Sequence, residues 1–496
     1  MNKNISKTIG ELLSRSNDYE LIGLPSQLVT SIAYNSLKVK PGGCFVALKG
    51  DKFDGHNFIE DAIWNGAKLI VCSKLPEKKL INKDTAYILT PNPRKFLAEI
   101  SHAFYNFPSE RINVIGITGT NGKTTITYLI KSIIESDKKI CGVIGTTGIF
   151  VGDQKIDTVN TTPESLELAQ ALDIMIDCGA SYVAMEVSSH ALIQGRTLGI
   201  KFKAAIFTNL THDHLDYHKT FDEYAEAKKI LFKNLDSESV AVINSDDPKS
   251  NFMVQNIRCK NIIRVGRVES DDYRILRENI SMKGVEFIIY CNKHLIDVIS
   301  NLTGKFNVDN AAIAAATCRE LGISNQAIQH GLCVTEGAPG RMQRIDLKNG
   351  ALALVDYAHT PDALEKALAT CKHSIEASDY KSSRLICVFG CGGDRDKTKR
   401  PEMGRISSVI ADITIITSDN PRTEEPLDII NDIKNGVIES SEIIVIEDRA
   451  EAIRKAAEIS MKNDIILVAG KGHENYQIIG TEKLHFDDFE QLSQYN

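Results

Sequence analysis

The residues best suited to chemistry form one short segment, Gly119-Thr-Asn-Gly-Lys-Thr-Thr125, which follows an apolar run at 114–117. Its glycines let the backbone approach a phosphate closely, and a helix beginning near Lys123 directs unpaired N–H groups at the same place. Lys123 would place a cation near the terminal phosphates, and Thr124 a hydroxyl on Mg²⁺. The segment predicts a nucleotide phosphate site, although Ile117 stands where the usual pattern has glycine and an ordinary strand-to-helix turn is the alternative.

Polar side chains follow two further apolar runs. Glu186-Val-Ser-Ser-His190 follows residues 182–185, and a segment containing His212, His214 and His218 follows residues 205–207. A carboxylate and an imidazole at neighbouring strand ends could complete a metal shell beside the phosphates. Mg²⁺ usually takes oxygen ligands, so a polar loop in which these histidines bond to backbone is an equally good interpretation of the spacing.

The elements that must position these residues alternate in the manner of an α/β protein. Apolar runs of strand length alternate with helical stretches from 112 to about 330, and the pattern restarts after Glu336-Gly-Ala-Pro-Gly340 with strands near 353–355, 385–389, 413–417 and 465–469. Such alternation predicts parallel sheets covered by helices, with ligands at the carboxyl ends of the strands. We expect three domains: a small N-terminal α/β domain at 1–107, a central doubly wound, mostly parallel P-loop domain at 108–336, and a C-terminal Rossmann-like α/β domain at 337–496.

Composition limits the class of protein. The chain has 496 residues, a formal net charge of −7 and 25% charged residues, which indicates no general attraction to nucleic acid. Its 11 cysteines form no Cys-x-x-Cys pair, which favours reduced thiols over disulfides or zinc. The N-terminus lacks the apolar core of a signal peptide, and no apolar run approaches the ~20 residues of a membrane span. We expect a cytoplasmic protein.

Nine motifs occur in an order that resembles the Mur ligases, the ATP-dependent enzymes that extend the cell-wall peptide. They are Gly119-Thr-Asn-Gly-Lys-Thr-Thr125, Asn160-Thr-Thr162, Glu186-Val-Ser-Ser-His190, Asp213-His-Leu-Asp-Tyr-His218, Ala227-Lys228, Gly304-Lys-Phe-Asn307, Gly340-Arg341, Asp356-Tyr-Ala-His-Thr-Pro361 and Gly470-Lys-Gly-His-Glu474. The resemblance covers essentially the whole chain. It implies an N-terminal domain that binds a UDP substrate, a central domain that binds ATP and a C-terminal domain that binds an amino acid.

Within that family, Asp419-Asn-Pro-Arg422 resembles the recognition motif for meso-diaminopimelate. The resemblance implies addition of this amino acid to UDP-N-acetylmuramoyl-L-alanyl-D-glutamate through an acyl phosphate, in peptidoglycan precursor synthesis. Diaminopimelate differs from lysine by a second carboxylate, which a guanidinium binds through two parallel hydrogen bonds. Arg422 and Arg395 could hold the two ends of such a substrate; the alternative is a turn with a solvated Arg422.

The resemblance also implies cofactors and ligands. Lys123 and Thr124 would hold the phosphates of ATP and a first Mg²⁺, while Glu186, His214 and Lys228 surround a second. Lys228 occupies a position that CO₂ carbamylates in the family, which turns a cation into an anionic ligand; the alternative is a surface lysine on its helix. Only small-molecule partners are expected, with no nucleic acid and no membrane insertion, and a monomer.

The remaining site residues are carried over by resemblance. The positions expected around ATP are Gly119, Thr120, Asn121, Gly122, Lys123, Thr124, Thr125, Asn307, Arg341, Asp356 and His359. Those expected to contact the UDP substrate are Tyr34, Ser36, Asn160, Thr161, Thr162, Ser188, Gln194 and Arg196. Those expected to contact the amino acid are Arg395, Asp419, Asn420, Pro421, Arg422, Gly470 and Glu474. The sequence departs from the family at Asn35-Ser36-Leu37, where Asp-Ser-Arg is usual, so the 51–53 loop is a further candidate for the uridine end.

Four other functions share parts of this pattern. A phosphate-loop kinase would share Lys123 and Thr124 but would release no inorganic phosphate. A regulatory nucleotide-binding module would show no turnover that depends on an amino acid. A ligase like folylpolyglutamate synthetase shares much of the fold but is not expected to carry the diaminopimelate motif. A ligase that adds L-lysine instead is the nearest rival.

Overall fold

The computed structural model describes residues 5–50, 53–77, 84–156, 158, 160–211, 215–281, 284–376 and 382–496, with backbone only at 215 and 216. These residues form two compact units. The first contains the chain up to Lys123 together with Lys138–Arg264, and the second contains Thr124–Asp137 and Val265–Asn496.

The first unit begins with a small α/β layer. Its five strands lie in the order Glu20–Ile22, Ala86–Leu89, Leu69–Cys72, Cys44–Val46 and Ile32–Ala33. The last four are parallel, and the first pairs antiparallel with its neighbour. Lys7–Thr8 and Leu28–Val29 form a separate antiparallel pair. Both faces of the five-stranded sheet are covered by apolar side chains, as expected for parallel strands.

The larger sheet of the first unit carries the phosphate segment. Its strand order is Gln154–Ile156, Gly148–Val151, Cys141–Gly145, Tyr182–Glu186, Asn113–Thr118, Phe202–Phe207, Val240–Asn244 and Asn261–Gly266. The five strands from Cys141–Gly145 to Val240–Asn244 are parallel. The strand before the phosphate segment is therefore flanked on both sides by parallel strands whose carboxyl ends share its edge, which confirms the predicted arrangement.

The second unit contains another mostly parallel sheet. Its strand order is Gln343–Asp346, Leu352–Asp356, Ile465–Ala469, Leu385–Phe389, Ile413–Ile416 and Glu442–Val445, and only the first pair is antiparallel. Antiparallel hairpins join Tyr273–Ser281, Gly284–Cys291 and His294–Ser300, and Tyr476–Ile479 pairs with Glu482–His485. The four strands predicted in this part of the sequence are confirmed: 385–389 and 465–469 match, and the ends of the other two shift by one residue.

The helices mostly follow strands, as the alternation of the sequence predicts. They span Ile9–Leu12, Ile59–Trp64, Pro93–Phe104, Lys123–Ser136, Ser165–Asp177, Ser189–Ile193, Leu215–His218, Phe221–Lys233, Ser250–Met253, Lys305–Glu320, Asn325–Val334, Pro361–Glu376, Lys399–Ile410, Pro426–Lys434, Arg449–Ile459 and Asp488–Ser493. Short 3₁₀ helices lie at Ser36–Lys38, Gly55–Phe58 and Pro108–Glu110. Among the described helices, none combines the length and the apolar character needed to cross a bilayer.

A buried ion pair fixes the helix Asp488–Ser493 to the second unit. Arg449 Nε and Nη2 each lie 2.7 Å from a carboxylate oxygen of Asp488, and both side chains are inaccessible to solvent. Arg449 Nη2 also donates to the carbonyl oxygen of Ala469 at 3.0 Å, at the end of a central strand. The guanidinium therefore joins a helix to the strand end that precedes the Gly470 motif.

Removing one member of this pair is expected to destabilise the second unit strongly. Asp488→Ala leaves the Arg449 charge buried without its partner, a loss of about 3 to 5 kcal/mol. Scanning calorimetry and urea titration would measure it as a lowered transition. The matched control is Glu458→Ala, which breaks the half-exposed pair with Arg454 and should cost no more than about 0.5 kcal/mol. Equal small effects in the two variants would contradict the prediction.

Candidate active site

The phosphate segment forms a loop between the strand Asn113–Thr118 and the helix Lys123–Ser136. Lys123 Nζ donates to the carbonyl oxygens of Gly119 at 2.9 Å and Thr120 at 2.7 Å. The amine is thus already held at the mouth of the loop. This is the strand, loop and helix that the sequence predicts for a phosphate site.

The end of the neighbouring strand Phe202–Phe207 holds the loop in place. Thr208 Oγ1 donates to the carbonyl oxygen of Asn121 at 2.6 Å, and the Asn121 amide donates to Asn209 Oδ1 at 2.9 Å. A Cβ atom at position 119, where φ is +151°, would collide with Thr208 Oγ1. The glycine is therefore required at 119, where the strand ends meet, while Ile117 is fully buried inside the strand.

Lys228 lies beneath the same loop. It projects from the helix Phe221–Lys233, is 1% exposed, and donates from Nζ to the carbonyl oxygen of Gly119 at 2.8 Å. Its amine also lies 4.3 Å from the centre of the Tyr224 ring. The alternative of a solvent-exposed lysine is wrong, because the side chain is buried beside the phosphate loop.

Glu186 ends the strand Tyr182–Glu186 with a side chain that is 1% exposed. Its carboxylate accepts hydrogen bonds from the Thr146 amide at 2.8 Å and from Thr146 Oγ1 at 3.2 Å. Thr146 Oγ1 also lies 3.1 Å from Thr161 Oγ1. The structure therefore fixes a carboxylate, with the predicted substrate residue Thr161 nearby, at the edge of the sheet that bears the phosphate loop.

The donor atoms available here suit a hard cation. His212, Asp213 and His214 lie outside the described residues, and within the described ranges no group of three or more His, Cys, Asp or Glu side chains could hold a metal. Glu186 supplies carboxylate oxygens, and Lys228 would supply oxygens only as a carbamate. Oxygen donors of this kind match Mg²⁺ better than zinc.

Thr162 links the strand that ends at Glu186 to residues predicted to contact the UDP substrate. Its hydroxyl donates to the Glu186 carbonyl oxygen at 2.9 Å and accepts from the Ser188 amide at 3.0 Å. Arg196 Nη1 donates to the Thr162 carbonyl oxygen at 2.9 Å, and Arg196 Nε lies 3.2 Å from Glu164 Oε1. Ser188 and Arg196 are thus brought to Thr162, and Arg196 is oriented by Glu164, which sequence reasoning missed.

A cleft of about 300 Å³ opens beside these residues in the first unit. Tyr34 and Asn160, both predicted to contact the UDP substrate, line it together with Lys38, Glu164 and Glu167. Tyr34 donates its hydroxyl to Glu167 at 2.7 Å, and burial with this carboxylate raises the pKa of Tyr34. Sequence reasoning missed Lys38, a cation beside the Leu37 position where the family usually has arginine.

Three residues that were predicted to bind a ligand have structural roles within the protein. Ser36 is buried, and its carbonyl oxygen accepts from Asn65 Nδ2 at 3.0 Å. Asn307 donates to the Thr303 carbonyl oxygen at 2.7 Å and accepts from Asn310 at 3.0 Å, so its amide closes the first turn of a helix. Gln194 ends the helix Ser189–Ile193. The structure records no side-chain arrangement at these three positions that points to a ligand.

In the second unit, Asp356 lies among the residues that are predicted to contact ATP. Its carboxylate accepts from the backbone amides of Met342 at 2.8 Å and Ala358 at 2.9 Å. Burial raises the pKa of Asp356, with Arg341 opposing that shift. The guanidinium of Arg341 lies 5.0 Å from the Tyr357 ring centre, and His359 is 4.6 Å from the same ring. Arg341, Asp356 and His359 are therefore neighbours, as predicted.

Several of the residues predicted to bind the amino-acid substrate surround a buried lysine. Lys471 Nζ lies 3.0 Å from both Asp419 Oδ1 and Asn420 Oδ1, and Asn420 Nδ2 donates to Glu474 at 3.0 Å. Burial acts to raise the pKa of Asp419, but Lys471 and Arg449 outweigh it, and the pKa lies below its usual value. Burial, followed by the Asp419 charge, raises the pKa of Glu474. The site thus holds one firmly ionised carboxylate and one that would gain from a cationic ligand.

Arg422 follows Pro421 with a φ of +54°. Its Nη1 donates to the carbonyl oxygens of Gly393 at 2.7 Å and Asn420 at 3.4 Å. A Cβ atom built at Gly392 would lie 2.9 Å from Arg422 Nη1 and 3.8 Å from Arg395 Cγ. Both predicted arginines therefore flank one glycine, and Arg422 is partly buried and hydrogen-bonded to the protein.

Sequence comparison gives matches along most of the chain. Residues 28–105 match the Mur ligase family catalytic domain, residues 117–318 the Mur ligase middle domain, and residues 340–472 the Mur ligase glutamate ligase domain. The chain is 44% identical to a UDP-N-acetylmuramoyl-L-alanyl-D-glutamate–2,6-diaminopimelate ligase of Clostridium botulinum, over 97% of this chain and 98% of that one. It is 43% identical to ligase 1 of the same name from Clostridium acetobutylicum, over 99% and 98%.

A solved structure gives the same result. A structure named for UDP-N-acetylmuramoyl-L-alanyl-D-glutamate–2,6-diaminopimelate ligase superposes with a TM-score of 0.71 at 35% identity and covers 99% of both chains. The predicted three-domain α/β fold is confirmed, while the exact domain boundaries stay a prediction. Identity above 40% over nearly the full length, together with three domain matches in order, shows that the chain belongs to the Mur ligase family.

Proposed function

We propose that this protein is an ATP-dependent ligase that joins meso-diaminopimelate to UDP-N-acetylmuramoyl-L-alanyl-D-glutamate and releases ADP and phosphate. The relatives above carry this activity in their names, and they match the chain over nearly its full length. The observation that carries the substrate assignment is the buried network of Asp419, Asn420, Lys471 and Glu474, which leads directly into Arg422.

The reaction proceeds in two steps. The γ-carboxylate of the substrate's D-glutamyl residue attacks the γ-phosphorus of ATP, which gives an acyl phosphate and ADP. The amino group of the incoming amino acid then attacks the acyl carbon, forms the amide and expels phosphate. Such phosphoryl transfer depends chiefly on positioning and on neutralising charge, the part that the loop amides and Lys123 would play.

The second unit would determine which amino acid the enzyme accepts as substrate. Glu474 and the ionised Asp419 suit an ammonium group, and the arginines suit the carboxylates. Arg422 donates through Nη1 to the Gly393 carbonyl oxygen in the neighbouring loop, so the Nε and Nη2 edge is the one suited to a bidentate carboxylate. L-Lysine lacks the distal carboxylate and would leave this guanidinium without its partner, at a cost of about 2 to 5 kcal/mol.

The oxygen donors of the first unit suit a bound Mg²⁺ ion. When bound, it neutralises phosphate charge and acts as a Lewis acid. Glu186 and a carbamate on Lys228 would supply anionic oxygens. Lys228 is buried, and both Lys228 and Lys123 donate to the Gly119 carbonyl oxygen. Burial and nearby charge control whether the amine is neutral enough to react with CO₂.

The finer parts of the assignment belong to the same proposal. Domains at 1–107, 108–336 and 337–496 would bind the UDP substrate, ATP and the amino acid respectively. The protein would act as a cytoplasmic monomer on small-molecule substrates. Tyr34, Asn160 and Lys38 would receive the UDP substrate in the 300 Å³ cleft that they line.

Amino-acid dependence is the first prediction. Phosphate release and product mass, with ATP, Mg²⁺ and the UDP-dipeptide, should show turnover with meso-diaminopimelate and little with L-lysine. Arg422→Met should lower kcat/KM for diaminopimelate by about 30-fold to 5,000-fold, which corresponds to about 2 to 5 kcal/mol. Arg405→Met, at an exposed helical position, should leave it unchanged. A preference for lysine would support the ligase activity but would refute diaminopimelate as the amino acid that is added. Turnover with neither would refute the substrate assignment.

A second prediction concerns Lys228. Lys228→Ala should lose about 100-fold or more in kcat, because an anionic ligand worth several kcal/mol is removed. Bicarbonate or short carboxylates should restore part of that activity. Lys233→Ala, at a half-exposed lysine on the same helix, is the control. A ¹³C carbamate signal after addition of ¹³CO₂ should appear in the wild type and be absent from Lys228→Ala; full activity of that variant would remove Lys228 from the metal site.

A further inference from the structure

Two loops of the second unit carry the arginines assigned to the amino acid. Arg395 lies in the loop after the strand Leu385–Phe389, and Arg422 lies in the loop after Ile413–Ile416. Carboxylate recognition by two guanidiniums requires that their separation be fixed, because bidentate hydrogen bonds tolerate little displacement.

The backbones of the two loops are in direct contact. The Gly393 amide donates to the Asn420 carbonyl oxygen at 2.9 Å, and the Gly393 carbonyl oxygen accepts from the side-chain Nη1 of Arg422 at 2.7 Å. A Cβ atom at position 393 would collide with the carbonyl oxygen of Pro421. Glycine at 393 therefore allows an approach that no other residue would.

Glu424 is the carboxylate that closes this junction. One of its oxygens accepts from the Asp394 amide at 2.6 Å and from Arg400 Nη2 at 2.9 Å, and the other accepts from Arg400 Nη1 at 3.0 Å. Lys397 Nζ lies 2.9 Å from Glu424. Hydrogen bonds from Arg400 and Lys397 hold the pKa of Glu424 well below its usual value. The carboxylate therefore stays ionised at any pH at which the enzyme would work.

Arg400 anchors Glu424 from the interior. Its side chain is completely buried, its Nη2 also donates to the Gly392 carbonyl oxygen at 3.3 Å, and its Nη1 donates to Asp432 at 2.9 Å. One guanidinium thus holds the first loop through Gly392 and the second through Glu424. A second clasp lies outside it, where Asp394 accepts from Thr423 Oγ1 at 2.8 Å.

We propose that Arg400 and Glu424 are positioning residues that set the distance between Arg395 and Arg422, and so determine recognition of a dicarboxylic amino acid. The inference rests on the proposed function and deepens it. Neither residue touches the substrate; each acts through a loop that carries a substrate-binding arginine. Loss of the Glu424 charge should therefore weaken binding of the amino acid selectively.

The test is Glu424→Gln in the full-length enzyme, with steady-state kinetics in which each of the three substrates is varied in turn. The glutamine keeps the shape and removes the charge. KM for diaminopimelate should rise about tenfold or more, as for loss of a charged hydrogen-bond partner. KM for ATP and for the UDP-dipeptide should change less than about twofold, because their predicted contacts lie elsewhere.

The control is Glu425→Gln at the adjacent exposed carboxylate, which makes no capping hydrogen bond to its helix, and its three KM values should match those of the wild type. If Glu424→Gln unfolds at a lower temperature than the wild type, Asp394→Asn provides the test instead. This substitution weakens the contact between Asp394 and Thr423 at an exposed position and leaves Arg400 paired. It should raise KM for diaminopimelate alone.

Each outcome bears on one claim. A selective rise in KM for diaminopimelate supports the positioning role. Unchanged KM values, or a similar rise for all three substrates, overturn it. Failure of the wild type to use diaminopimelate would instead refute the proposed function, so the two failures are distinguishable in the same assay.

Discussion

The carbonyl oxygen of Gly119 accepts hydrogen bonds from two lysines, and the candidate chemistry of the first unit depends on that shared acceptor. Lys123 reaches it from the start of a helix and Lys228 from a different helix more than 100 residues later. Two amines that share one acceptor concentrate positive charge around it, which favours negative charge nearby. In the proposed function, the phosphates of ATP and a carbamate on Lys228 would supply that negative charge.

The second unit uses a different strategy for charge. It buries several cations completely, among them Arg400, Arg449 and Lys471, and pairs each with a carboxylate. Buried pairs of this kind add little net stability, but they are costly to break and therefore hold one geometry. The two arginines proposed to bind the amino acid, Arg395 and Arg422, stay more accessible on loops that these interior pairs fix. Rigid support beneath an accessible site is what discrimination by one carboxylate requires.

Much of this architecture was predictable from the sequence. Residues 385–389 and 465–469 were predicted as strands and match exactly, since apolar runs of that length between helices leave few alternatives. The neighbourhoods of Lys228 and Arg422 followed from ordered motifs. Glu424, Arg400 and Glu164 did not, because charged residues on helices and loops are usually solvated, and only tertiary contacts show that Arg400 is buried. Lys38 gave no signal beyond its charge.

The pairing of Arg449 with Asp488 has a consequence for the order in which the second unit can form. The helix that contributes Asp488 is made after every strand of the six-stranded sheet, yet the guanidinium it neutralises contacts the central strand Ile465–Ala469. Until that helix docks, pairing of the strands would bury the guanidinium without the carboxylate of Asp488. Docking of the last helix and closure of the sheet around Arg449 are therefore expected to occur together.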